Sequence, residues 1–411
     1  MYDFANTIYS AIVVTAFFPL FVHQLAGRDI YTGLTQTASM VLAALVVPAA
    51  GALADRTGKG KRYLLWLTIA CCAATAGIGF AANDAIYNGK DVLASGHVLA
   101  MVLLLFGLAN LTYQASLVFY NTMLPAVASP KRQGFVSGFG VGLGYLGVVV
   151  ALPIALYAKD KTSAMRVTFW LAGAAFLLTS IPLFLFVRPP RPATKVKVTP
   201  RLVANQFVEL GATLRTLWHM PRVLCFFIGN FLCVDVVNTL IMWVRPFLQK
   251  GAGFSEKASG MALLGMSVSA FVLGMGMGWL TDKLGAKRTL LASACSLLLC
   301  IVAAGTVRQP AVLLPVILLF GSGGLAGTWT AGRKWLLEVA PPEKVGEFFG
   351  LYGVTIKLSV FGCTLFAALA DGTGSYRVAL LGQLVPLVVG IAFLAAARPE
   401  RVVAASPEPC E

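Results

Sequence analysis

The stretch Gly51-Ala52-Leu53-Ala54-Asp55-Arg56-Thr57-Gly58-Lys59-Gly60-Lys61-Arg62 places a glycine turn and several bases between two long apolar runs. Its frame recurs as Gly278-x-x-x-Asp282-Lys283-x-Gly285 followed by Lys287-Arg288. Two other pairs keep the same order. Asp3-x-x-Asn6-Thr7 returns as Asp235-x-x-Asn238-Thr239, and Arg132-x-Gly134-x-x-x-Gly138 returns as Lys344-x-Gly346-x-x-x-Gly350. Three matches in one order point to a duplicated chain. Many secondary transporters are built from such internal repeats, with the binding site between them near the bilayer midplane.

Around these loops the composition is that of a membrane protein. Of 411 residues, 58% are hydrophobic and 12% charged, with a mean hydropathy of +0.80, whereas soluble domains carry about 25% charged residues. A bilayer core of about 30 Å needs about 20 apolar residues of helix. Twelve such runs lie near 4–25, 33–54, 63–82, 97–120, 134–157, 166–187, 223–247, 257–281, 289–307, 311–332, 347–370 and 375–397. The first run carries polar residues and no small-residue cleavage site, so it reads as a span and not as a signal peptide. The fold expected is all-α, with twelve transmembrane helices in two pseudo-symmetric six-helix bundles.

Residues 1–187 form the first bundle in this reading and 223–398 the second. Between them, residues 188–222 are a polar linker opening on Arg188-Pro189-Pro190-Arg191-Pro192; the tail is 399–411. Within the linker, Val203, Phe207, Leu210, Leu214 and Leu217 recur at helical spacing among bases, which predicts an amphipathic helix on the membrane surface. The net charge of +15 does not mark a nucleic-acid binder, because the bases sit in short loops and not in a stripe among aromatics. With the N-terminus inside, about two thirds of the 32 Lys and Arg fall on the inner side. Both termini are therefore expected in the cytoplasm, and the expected location is a bacterial inner membrane.

Ionisable groups at bilayer depth are functional candidates. Counting helical rise from the span starts brings Asp235 and Lys357 to mid-membrane. They are expected to pair, either as a static joint or as groups that alternately bind substrate and proton. Polar stripes add Asp3 and Asn6 in span one, Asn110, Tyr113, Gln114, Tyr120 and Asn121 in span four, and Asn238 beside Asp235 in span seven. With Trp329, Arg333 and Tyr352 they form a set suited to an amphiphilic organic solute, although each could equally serve only to join helices. The glycines of span five, Gly138 to Gly147, and Gly274, Gly276 and Gly278 in span eight allow close helix approach. His23, His97 and His219 are scattered, and no Walker loop occurs, so no metal, cofactor, catalytic set or ATP-driven cycle is expected.

The Gly51–Arg62 loop resembles the signature loop between spans two and three of the major facilitator superfamily. That resemblance implies alternating access, with Gly51, Asp55, Arg56, Gly58 and Arg62 locking the cytoplasmic side, partly against the N-terminal dipole of the eleventh helix. Arg132, Asp282, Gly285, Arg288 and Glu347 are the other expected gating residues. More narrowly, Tyr2-Asp3-Phe4-Ala5-Asn6-Thr7-Ile8-Tyr9, Gly346-Glu347-Phe348-Phe349-Gly350-Leu351-Tyr352, Lys357 and Ser359 resemble the branch related to fungal vacuolar amino-acid effluxers. This branch implies a small-molecule substrate, amino-acid-like as the first expectation, moved by efflux. Protons are the candidate coupling ion, membrane lipid the surroundings, and a monomer the expected state. A transporter of another metabolite or drug, and a scramblase-like or non-transporting membrane protein, are the alternatives.

Overall fold

The computed structural model describes residues 1–26, 30–87, 96–158, 162–188, 215, 217–341, 344–359 and 361–398. Among these, every regular element is helical. The long helices are α1 (2–26, π-helical over Ser10–Phe17), α2 (Ile30–Thr57), α3 (Gly60–Tyr87), α4 (Gly96–Asn121), α5 (Gln133–Ala158) and α6 (Thr162–Phe186). They continue as α7 (Pro221–Gly251), α8 (Glu256–Leu284), α9 (Ala286–Thr306), α10 (Pro310–Val339), α11 (Val345–Thr373) and α12 (Tyr376–Ala396). Eleven of them, α2 to α12, are long and apolar enough to cross a membrane, and α1 is helical over a comparable length. Leu104, Leu178, Phe186 and Val385 are among the most exposed side chains. An exterior of this kind suits lipid, where only helices satisfy every backbone group internally.

Most helices outrun their apolar stretches by about a turn. The largest difference at one end is in α10, whose apolar run ends before Arg333-Lys334 while the helix continues to Val339. Both bases are paired there, as described below, so they do not end the helix.

In the first six helices, α3 packs on α4 and α6, α2 on α4, and α1 on α5 and α6. In the second six, α7 packs on α12, α8 and α9 on α10, and α9 on α12. The two sets meet along α2–α11 and α5–α8. Each seam rests on glycines at the end of the molecule carrying the two Gly-x-x-x-Asp loops, the motif end. A Cβ on Gly51 would collide with the Gly346 carbonyl, and one on Gly278 would stand 2.6 Å from the Gly134 carbonyl oxygen. A Cβ on Gly350 would meet Val47 and Pro48, and one on Gly138 would meet Gly274. The same contacts therefore occur twice, in matching positions of the two repeats. The glycines of α5 serve two partners: 134, 138 and 142 face α8, whereas 140, 144 and 147 face α1.

Helix α11 is interrupted. Its first piece, Val345–Leu358, packs along α2, and its second, Phe361–Thr373, packs on α7 and α12 instead. The amphipathic helix expected in the 188–222 linker falls mostly outside the described residues, as does the 399–411 tail.

Candidate functional site

Two polar clusters lie between the apolar helices. The first joins the two bundles. Asp3 on α1 accepts from Arg333 on α10 through both guanidinium ends, at 3.3 and 3.4 Å. Tyr120 on α4 donates to Asp3 Oδ2 at 2.7 Å, and Asn6 Nδ2 donates to Oδ1 at 3.3 Å. Asp3 is thus held from α1, α4 and α10 together. Gly140 makes room for it, since a Cβ there would stand 2.5 Å from Asp3 Oδ2. Tyr2 stacks on Tyr120 with ring centroids 4.7 Å apart and bonds Thr68 and Ser116, which fixes the phenol that reaches Asp3. Beneath Arg333 is a cavity of about 50 Å³ lined by Tyr120, Asn121 and Ser137. On the neighbouring face, Tyr352 Oη and Asn230 Oδ1 crowd Gly332, where a Cβ would stand 2.8 and 3.1 Å from them. Trp329, one turn before Arg333, is half-buried.

The second cluster lies at the break in α11. Asp235 Oδ2 accepts from the Gly362 N–H at 2.7 Å, so a carboxylate from α7 caps the second piece of α11. Asn238 Nδ2 donates to the Ser359 carbonyl at 3.1 Å, and Ser359 Oγ donates to Phe231 O and to Thr355 O. The groups freed by the interruption are taken up by α7, as an irregular backbone at membrane depth requires. Gln383 Nε2 on α12 donates to the Gly362 carbonyl at 3.1 Å.

Asp235 and Lys357 do not pair, contrary to the sequence expectation. Helical rise gives depth along a span but not azimuth, and the break turns Asp235 toward Gly362. Lys357 Nζ is 3.3 Å from Gly353 O on its own helix. Gly353 itself lies against Val47 and Val118 of the first bundle. Among the described residues Lys357 has no carboxylate partner. Asn110 and Tyr113 serve helix joints and not the Asp3 cluster. Asn110 Nδ2 bonds Ser39 Oγ at 2.7 Å and ties α4 to α2, whereas Tyr113 packs against Tyr9 and Phe176 inside the first bundle. Gln114 and Asn121 are half-buried.

The expected gate residues divide in the same way. Asp282 Oδ1 and Oδ2 accept from the Gly134 and Phe135 N–H groups at 2.9 and 2.7 Å, which are the first turn of α5. Lys334, not singled out in the sequence, holds Asp282 Oδ1 at 2.6 Å with both side chains largely buried. Gly58 and Gly285 make their turns at φ +59° and +90°, where other residues are strained. The Asp55 side chain lies outside the described part. Arg56, Arg62, Arg132 and Arg288 are exposed. The neighbouring lysines reach across to helix ends: Lys61 Nζ meets Val187 O at 2.5 Å, and Lys287 Nζ meets Ala395 O and Ala397 O at 2.7 and 2.5 Å. Each lysine anchors the C-terminal end of the last helix in its own bundle. Glu347 is buried and pairs with Lys344 at 3.8 Å.

The comparisons with known proteins agree with this architecture. The Bacillus subtilis protein named uncharacterized MFS-type transporter YxiO is 26% identical over 415 residues, covering 96% of this chain and 92% of that one. Autophagy-related protein 22 of Neurospora crassa is 24% identical over 272 residues, covering 59% of this chain but 36% of the fungal protein. The solved structure of the Escherichia coli fucose:proton symporter FucP superposes with a TM-score of 0.71 at 13% identity, covering 96% of this chain and 98% of that one. The profile described as Major Facilitator Superfamily matches residues 4–361, with a second match over 246–409. With helices paired as two matching halves and a family match over most of its length, this multi-pass membrane protein belongs to the major facilitator superfamily.

Proposed function

We propose that this chain exports a small, amino-acid-like organic solute by alternating access, driven by an ion gradient, from a cytoplasmic membrane in which both termini face the cytoplasm. The observation that carries the reading is the Asp3–Arg333 pair, which bridges the bundles with Tyr120 as its third member. A charge pair across a moving seam can be exchanged for a substrate's own charges: an ammonium group for Asp3, a carboxylate for Arg333. Lys357, without a carboxylate partner among the described residues, offers a second anchor for a substrate carboxylate. An uncompensated ammonium between apolar helices is costly until an anion arrives.

With the motif end in the cytoplasm, the conformation is closed to that side by the Gly51–Gly346 and Gly134–Gly278 contacts and by Asp282 on the start of α5. Release of that seam would expose the site to the cytoplasm. The resemblance of span-one and span-eleven motifs to the fungal effluxer branch supports the amino-acid class and the direction. The test is purified protein in liposomes, supplied with a panel of labelled amino acids and metabolites under an imposed pH gradient and, separately, an imposed sodium gradient. Movement of at least one amino acid that ceases when the gradient is collapsed is the expected result. Movement of other metabolites alone would overturn the substrate class, and no movement of any panel member would count against transport.

A further inference from the structure

Asp235 and Gln383 are 2% and 0% exposed, yet each keeps one oxygen without a hydrogen-bond partner among the described residues: Asp235 Oδ1 and Gln383 Oε1. The Gln383 amide is oriented by its donation to Gly362 O, so the oxygen is the end left over. These groups converge on one place. The side chain that Gly362 lacks would stand 2.7 Å from Asp235 Oδ2, 2.9 Å from Gln383 Oε1, and in contact with Thr239 Oγ1. Thr239 is fully buried; its hydroxyl donates to Asp235 O at 2.8 Å, stands 3.6 Å from Cys363 Sγ and lies beside Gly362, so its oxygen borders the same space.

No Lys, Arg or His pairs with Asp235 among the described residues. On its outer side lies a cavity of about 410 Å³ lined by Phe231, Phe361, Leu365, Val385 and Val389, where Asp235 supplies the only ionisable group. A bare carboxylate in such surroundings carries a heavy desolvation penalty, and the backbone N–H groups at the start of the second piece of α11 offset only part of it. A cation shared by the Asp235 carboxylate, the Gln383 amide oxygen and the Thr239 hydroxyl would offset the rest. The donors are a carboxylate, an amide oxygen and a hydroxyl, all hard oxygen ligands, and one carboxylate balances one charge. Interrupted helices supply such sites because the carbonyls at the end of the first piece point into the gap.

We propose that Asp235, Gln383 and Thr239 form a binding site for one sodium ion at the break in α11. The site ties α7, both pieces of α11 and α12 together, so occupancy would set how the second piece of α11 sits against the bundle. Its use as the coupling site rests on the transport reading; binding does not, and is measured without transport.

The experiment is equilibrium binding of radioactive sodium to the purified full-length protein in detergent, with choline chloride holding ionic strength constant. The expected result is saturable binding of one ion per chain. Binding should be abolished in Asp235→Asn, which keeps an oxygen for the Gly362 N–H, and weakened at least tenfold in Gln383→Leu. Thr239→Ser should bind as the parent does, and Thr239→Val more weakly. Absence of saturable binding in the parent protein, or undiminished binding in Asp235→Asn and Gln383→Leu alike, overturns the proposal. Thermal stabilisation by acid with indifference to sodium also overturns it and assigns the oxygens to a proton. Sodium binding with no solute movement in liposomes would leave this site standing and refute the transport reading instead.

Discussion

Replacing Asp282 with alanine removes the link between α8 and the first turn of α5, and the size of the effect follows from which contacts cross the seam. The carboxylate makes three: Gly134 N at 2.9 Å, Phe135 N at 2.7 Å and Lys334 Nζ at 2.6 Å. Lys334 belongs to α10, in the same bundle as α8, so that ion pair persists when the bundles separate at the motif end and cancels from the opening equilibrium. Only the two N–H contacts are lost on opening. Charge-assisted hydrogen bonds are worth about 1.5–3 kcal/mol each net, and the helix dipole adds about 0.3–1 kcal/mol. A conservative total of about 3 kcal/mol moves the equilibrium roughly a hundredfold toward opening at the motif end, at about 1.4 kcal/mol per decade. Asp282→Ala alone would leave Lys334 with only Glu338, one turn on, as a carboxylate neighbour, and breaking a buried ion pair costs up to about 3–5 kcal/mol of fold stability. The double variant Asp282→Ala, Lys334→Met avoids that loss and leaves the seam effect intact. The assay is the distance between spin labels at exposed positions Lys131 and Leu284 in a cysteine-depleted background. A population at longer distance should appear in the double variant. An unchanged distance distribution in a folded, monodisperse protein would mean that these two bonds do not hold the seam shut.

Arg333→Lys keeps the charge but loses the two-pronged grip on Asp3, and should lower solute movement at least tenfold in liposomes without loss of fold; equal rates would remove Arg333 from the site. Gly51→Val should prevent closure at the motif end, because even a Cβ meets the Gly346 carbonyl; cysteine-accessibility labelling at that end should rise, and parental protection would contradict the contact. Lys357→Ala should weaken the apparent affinity for a carboxylate-bearing solute more than it lowers the maximal rate. An unchanged concentration dependence would exclude Lys357 as an anchor.

How far the sequence reaches depends on the range of the interaction. The spans were legible because a bilayer imposes a length and an apolarity on every crossing helix, and the repeats because duplication preserved Gly-x-x-x-Asp and Asp-x-x-Asn-Thr. Glycine spacing in spans five and eight announced close helix approach, but not that these two spans meet each other or that α2 meets α11. The Asp3–Arg333 pair was not legible, since 330 residues separate the two and no local pattern joins them. Lys334 was counted only as a topology charge, though its place beside Arg333 at the end of an apolar run marked it for a paired role. Asp235 is legible by its depth but its partner is not, because nothing in the apolar run around Ser359 announces an interruption. Gln383 is one amide in span twelve, with no local pattern to mark it.

Alternating access requires the two bundles to rock about a shared site, opening one end as the other closes. Paired-label distances across the motif end and across the opposite end, taken on the same protein in lipid nanodiscs, test it most directly. The expected result is opposite movement: the variant that lengthens the motif-end distance shortens the other. Distances that lengthen together, or that stay fixed at both ends while solute still crosses, would contradict it.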